Sequence, residues 1–183
     1  MRIPLTFLTL FCVLAPSTVT AEPRKENPVT ELQSIFAEFA EACVGKVKGD
    51  GDIAYPNKLK RKSLDYSTAS LKEIDAYLEF LFNKKGFSDR EYSNTVLWCG
   101  AYVGEVIRRN AKRKYVWMDY DDYMKKTSNP KLRNIIPLGF TTRAFLVTGK
   151  DTMTMPVNKI ARFLDEGPEN NIYFYASAEI KGK

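Results

Sequence analysis

Glu105 is followed at i+3 and i+4 by Arg108 and Arg109, the helical spacing at which one carboxylate meets two guanidiniums. The run leading into it, Gly100-Ala101-Tyr102-Val103-Gly104, places two glycines one turn apart inside a helical pattern. Each costs about 1 kcal/mol relative to alanine, so a close backbone approach by another element is the simplest compensation. The Glu–Arg group is then either a surface salt bridge beside a tight crossing or a partly buried pair that organises a pocket. In the second case Tyr102, Glu105, Arg108 and Arg109 are the binding residues. Further on, Asp119, Asp121 and Asp122 lie among Trp117, Tyr120 and Tyr123. Rings stack on sugar faces while carboxylates bind hydroxyls or act as acid and nucleophile, which adds Trp117 and Tyr120 to the candidate set. The competing reading is a solvated loop whose aromatic residues rejoin the core.

Other chemistry is excluded by what the chain lacks. There is no histidine, which removes Ser-His-Asp and Cys-His catalysis, His-ligated zinc and most general-base schemes at neutral pH. No phosphate-binding glycine motif is present, so no cofactor is expected. Ser128-Asn129-Pro130-Lys131 has the spacing of a Ser-x-x-Lys nucleophile pair, but Pro130 inside it and the absence of partner motifs favour a polar turn. Asp50-Gly51-Asp52 begins like a calcium loop, yet the sixth position is Tyr55 and the twelfth Arg61; the pattern fails where glycine and glutamate are needed. No metal site is expected. The basic runs Lys58 to Lys62 and Arg108 to Lys114 would attract an anionic ligand or lipid if they shared a face.

The compartment is written at the start of the chain. A positive Met1-Arg2, an apolar stretch from Leu5 to Ala15, and Val19-Thr20-Ala21 before Glu22 read as a cleavable secretory signal. The stretch falls short of the about 20 residues a membrane span requires, and no later run approaches that length. Removal of residues 1–21 takes away one charged group, Arg2, and leaves a mildly basic chain. Two cysteines remain, Cys43 and Cys99, a candidate disulfide in an oxidising compartment. Closing the loop between them would stabilise by about 4 kcal/mol in the chain-entropy picture. Two buried free thiols are the alternative.

The elements that must position these residues follow from periodicity. Residues 22–27 read as a flexible tail and 28–183 as one domain. Asn27 caps a helix with Pro28 at its first position, whose buried face is Leu32, Ile35, Phe36, Phe39, Ala40 and Cys43. Residues 53–66 form a loop or short edge strand. Ser70 with Glu73, and Ser88 with Glu91, predict two capping boxes opening the second and third helices; the third runs to about Asn110. Strands are predicted at Tyr115–Met118 and Arg143–Thr148, separated by a long polar connection. A short helix over Pro156–Asp165 precedes a final strand over Asn171–Ile180. Helices first and strands last give an α+β fold, with N-terminal helices packed on a small, mainly antiparallel C-terminal sheet.

Leu64-Asp65-Tyr66-Ser67, then Ser70-Leu71 and Ile74-Asp75, then Gly100 to Asn110 (GAYVGEVIRRN) ahead of a Trp-containing strand, resemble a family of exported bacterial proteins of unknown function. The likeness extends to Phe163-Leu164 and Ile172-Tyr173-Phe174-Tyr175. The Gly-Gly turn common in that family after the Asn is replaced here by Ala111-Lys112-Arg113-Lys114. The resemblance implies a bacterial source and a compact α+β domain, and no mechanism. The functional expectation is a periplasmic or secreted binding protein, such as an inhibitor, an immunity protein or an envelope accessory, with a protein partner and no nucleic acid. The alternatives are a carboxylate-dependent enzyme on cell-wall carbohydrate and a binder of an anionic ligand or lipid.

Overall fold

The capping box predicted at Ser88 forms. Ser88 Oγ accepts the Glu91 amide at 3.3 Å, and the Glu91 carboxylate accepts the Ser88 amide at 2.8 Å. It opens α3 (Asp89–Asn110), the axis of the structure. The structure, a computed structural model, describes residues 28–182; the leader, the 22–27 tail and the Asn27 cap lie outside the described residues. From Thr95 to Ile107, every residue of α3 except Leu97 is buried. A helix buried all round needs neighbours on every side. They are α1 (Pro28–Val44), α6 (Pro156–Glu166) and α7 (Ile172–Lys181). A further helix, α2 (Leu71–Lys84), rests on α6 and α7.

Close backbone approach, the expected compensation for the two glycines of α3, occurs at Gly100, whereas Gly104 is approached by a side chain. A β-carbon on Gly100 would lie 2.6 Å from Val157 Cα, at the start of α6, and one on Gly104 would lie 2.1 Å from the Trp117 indole. One glycine admits a backbone and the other admits a ring.

Three strands form the sheet: β1 (Val116–Asp119), β2 (Ala144–Thr148) and β3 (Thr152–Thr154), antiparallel in that order. Trp117 stands opposite Leu146, and both face the main helical core. Phe145 and Val147 face the other way, onto Tyr120 and Tyr123. The fold is therefore α+β, with helices packed on a small antiparallel sheet in the C-terminal half.

Several local expectations are corrected. The connection between β1 and β2 holds two short helices, α4 (Tyr120–Lys126) and α5 (Leu132–Ile135). Asp119 starts α4 by accepting the Asp121 amide at 2.8 Å. Residues 53–66 fold into 3-10 turns at Pro56–Lys58 and Arg61–Ser63. Ser70 does not cap α2; its hydroxyl donates to the Ser67 carbonyl at 2.7 Å, and the Glu73 carboxylate is turned to Lys60. The final strand expected at Asn171–Ile180 is α7. Its aromatic, β-branched start resembles a strand, but Asn171 accepts the Phe174 amide at 2.9 Å, and Asp75 of α2 accepts the Ile172 and Tyr173 amides at 2.6 and 3.0 Å. The orphan donors of the first turn are thus satisfied from 97 residues away.

Gly100→Ala and Gly104→Ala are each expected to destabilise the protein by about 1–3 kcal/mol through overpacking, although alanine is the better helix former. Urea melts read this directly, and a raised midpoint in either variant would contradict the packing described.

Candidate functional site

Glu105 lies wholly inside the protein, with 1% of its side chain exposed. It accepts from Arg108 Nε and a terminal guanidinium nitrogen at 2.9 and 2.8 Å, and from Trp117 Nε1 at 3.2 Å; Arg109 Nε stands 3.6 Å away. A buried carboxylate is tolerated only when paired and hydrogen-bonded in this way. The bond from Trp117 fixes the indole over Gly104, where it stacks on Phe36 of α1 at a centroid distance of 3.8 Å and 16° between planes. The Gln33 side chain then clamps the Trp117 backbone, donating to its carbonyl at 2.8 Å and accepting its amide at 3.0 Å. Glu105, Trp117, Phe36 and Gln33 together set the position of α1 against β1.

A second cluster adjoins it. Tyr66 holds a left-handed backbone, with φ of 63°, a conformation costing roughly 1 kcal/mol outside glycine. Its amide donates to the Tyr102 hydroxyl at 3.0 Å, and its carbonyl accepts from Asn110 at 2.9 Å. Its own hydroxyl donates to Glu41 at 2.6 Å, and Arg109 covers its ring at 3.6 Å. Tyr102 also bonds Ser70 Oγ at 2.6 Å; since the Ser70 hydrogen goes to Ser67, Tyr102 is the donor. The two sequence stretches around Tyr66 and around Tyr102 to Asn110 therefore meet in one network. The bond from Tyr66 holds the Glu41 carboxyl below its ordinary range, with help from Lys46. Burial, then the Glu41 carboxylate, push the Tyr66 hydroxyl well above the ordinary phenol range.

Five of the six predicted binding residues thus share one neighbourhood: Tyr102, Glu105, Arg108, Arg109 and Trp117. Tyr120 sits on the far face of the sheet with Phe145 and donates to the Ile136 carbonyl at 2.7 Å. Of the six, only Arg108 and Arg109 are substantially exposed. Trp117, Tyr120 and Tyr123 are all buried, so none offers a face to a sugar ring. Asp119 caps α4, Asp121 pairs with Arg133 and Asp122 with Lys125.

Accessible apolar surface lies along α1, beside its seam with β1. A furrow of about 340 Å³ runs between Leu32 and Ile35 of α1 and Met118 and Asp119 of β1. A second, of about 320 Å³, shares Leu32, Ile35 and Asp119 and adds Phe39, Leu97 and Phe140. A third, of about 450 Å³, continues from Ile35 past Phe39 and Leu97 to Trp98. Ile35, common to all three, is 38% exposed, and Phe140 46%. The sequence placed Ile35 in the core; the helix instead turns Phe36 and Ala40 inward and leaves Ile35 at the surface. Periodicity signals an apolar stripe without saying which edge of it a neighbour covers.

The remaining candidates separate. Cys43 and Cys99 are buried thiols with their sulfurs 3.7 Å apart; the contact with Cys99, then burial, raise the Cys43 thiol well above its usual range. The basic runs are held by different partners: Arg61 by Asp52 and Lys60 by Glu73, against Arg108 and Arg109 by Glu105 and Arg113 by the Gly182 carbonyl. Ser128 donates to Asp151, and Asn129 accepts the Lys131 amide at 3.1 Å, a polar turn. Asp50 pairs with Arg90. Among the described residues, no group of three or more Cys, Asp or Glu could hold a metal ion, and no helix is long and apolar enough to cross a membrane. No family model matches this chain, and no curated protein or solved structure matches it.

Tyr66→Phe is expected to cost about 1 kcal/mol at pH 7 by removing the bond to Glu41. Because the folded Glu41 pKa is depressed, this stabilisation is present above the ordinary carboxylate pKa of 4.5 and is lost as pH falls through the lower folded value. Denaturant melts of both proteins should therefore converge as pH is lowered below the ordinary carboxylate range; a gap that widens in acid would refute the linkage.

Proposed function

We propose that this chain is an exported, non-catalytic binding protein of the bacterial envelope, an inhibitor, immunity protein or assembly accessory that engages a protein partner through the furrow along α1. The single observation that carries the reading is the furrow: Ile35 and Phe140 exposed beside Leu32, Phe39 and Leu97. Contiguous exposed apolar surface rimmed by polar groups marks an interaction site. The carbohydrate-cleaving alternative draws less support, because Glu105 is enclosed by two arginines and an indole. The aspartates after β1 likewise have structural partners.

Export carries a covalent consequence for the cysteine pair. In an oxidising compartment the two thiols, already in contact at 3.7 Å, give up two protons and two electrons to a disulfide-bearing oxidant and join through one S–S bond. The crosslink would tie α1 to α3 behind the furrow.

Two measurements test the proposal. Intact mass of the native protein is expected to correspond to a chain starting at Glu22 and lighter by two hydrogens than the dithiol; a start at Met1 in cytosolic material removes the compartment. A photo-crosslinking residue at Ile35 is expected to give discrete adducts in envelope fractions, while the same probe at Phe174, 72% exposed on α7, gives none. Equal labelling from both positions, or none from Ile35, overturns binding through the furrow.

A further inference from the structure

The rim of the furrow carries a charge opposite to that of the protein. The whole chain has a formal charge of +6, yet Glu31, Glu38, Asp119 and Asp122 stand along the apolar floor. Glu31 and Glu38 fall one turn to either side of Ile35, on the exposed face of α1. Neither forms an ion pair among the described residues. Asp122 meets Lys125 in an exposed contact at 3.2 Å of the kind that contributes little. The basic side chains that reach the furrow are Lys48 at one end and Arg143 beside Phe140.

The neighbouring sheet edge narrows the shape of the occupant. An extended peptide at the furrow would add to β1, the edge strand on that side, by bonding its outward backbone groups. At Trp117 those groups are already taken, both of them, by Gln33. What stays open is a groove lined by side chains, running along α1 from Glu31 to Ala42. At about 1.5 Å per residue that length is roughly 16 Å, or three turns of a helix.

We infer that the furrow receives a cationic amphipathic helix of a partner polypeptide, its apolar face on Ile35, Leu32, Phe39 and Phe140 and its lysines or arginines against Glu31, Glu38 and Asp119. This rests on the furrow being the binding surface proposed above. The partner's apolar face supplies contact area, and its charges select orientation and speed encounter. The net positive charge of the chain opposes the approach of a cationic helix, so the local acidic rim has to provide the steering.

The test uses the full mature chain and a fluorescein-labelled 18-residue peptide of leucine and lysine patterned for an amphipathic helix, read by anisotropy. One saturable site is expected, weakened at least tenfold by the double charge reversal Glu31→Lys with Glu38→Lys, and likewise by Ile35→Ser. It should be unchanged by Glu79→Lys on α2, and should weaken as salt rises. All these positions are at the surface, and circular dichroism checks that each variant folds. No saturable binding, or equal loss with Glu79→Lys, overturns the cationic helix. Tighter, Ile35-dependent binding of a leucine–glutamate peptide would overturn the charge assignment while leaving the furrow as a binding surface. A wild-type dimer in sedimentation that Ile35→Ser dissolves would assign the furrow to a second copy and overturn the inference too. Failure of the Ile35 crosslink, by contrast, removes the furrow itself.

Discussion

A single buried carboxylate organises the centre of this protein. Removing Glu105 from water is unfavourable unless its oxygens are filled, and here two guanidinium contacts and an indole N–H fill them. The indole has one place to go, over Gly104, because any larger residue there would occupy the same space. Once Trp117 is fixed, Phe36 stacks on it and Gln33 binds its backbone. The first helix and the first strand are thereby brought together, and the furrow between them follows.

The Tyr66 network does similar work beside Glu105, through Tyr102, Arg109 and Asn110 of the same helix. A left-handed tyrosine persists only when its surroundings over-determine it. Tyr102, Asn110, Glu41 and Arg109 each take a different part of it: amide, carbonyl, hydroxyl and ring. Arg109 thus touches both networks, near Glu105 on one side and over the Tyr66 ring on the other. The residues with the most distinctive chemistry in the chain are consequently spent on holding the scaffold. The exposed furrow is made of ordinary ones: leucine, isoleucine, phenylalanine and glutamates that form no ion pair among the described residues.

That division explains why the candidate residues and the accessible surface only partly coincide. Spacing alone links Glu105 to Arg108 and Arg109, and it correctly calls for close approach at Gly100 and Gly104, but it carries no information on solvent access. Trp117 and Tyr120 look equivalent in a sequence of alternating aromatics and aspartates. They end on opposite faces of the sheet because successive residues of a strand point opposite ways and a helix begins directly after it. Ile35 and Phe36 are adjacent, and a rotation of α1 by one residue would exchange them; the stack on Trp117 selects Phe36 for the interior.

By itself the sequence determined the local elements whose signals lie within a few residues: the box at Ser88, the length of α3, the proline-started α6 and the strands at Val116 and Ala144. The α+β class also held, although the expected order of helices first and strands last did not: α4 and α5 separate β1 from β2, and α6 and α7 follow β3. Tertiary structure alone decided that residues 172–181 are a helix, since Asp75 supplies from another helix the acceptors that the first turn lacks. It likewise decided that Ser70 meets Tyr102, and which edge of α1 stays open to solvent. In each case the deciding hydrogen bond or contact joins residues far apart in the chain, where local propensity and periodicity have nothing to say.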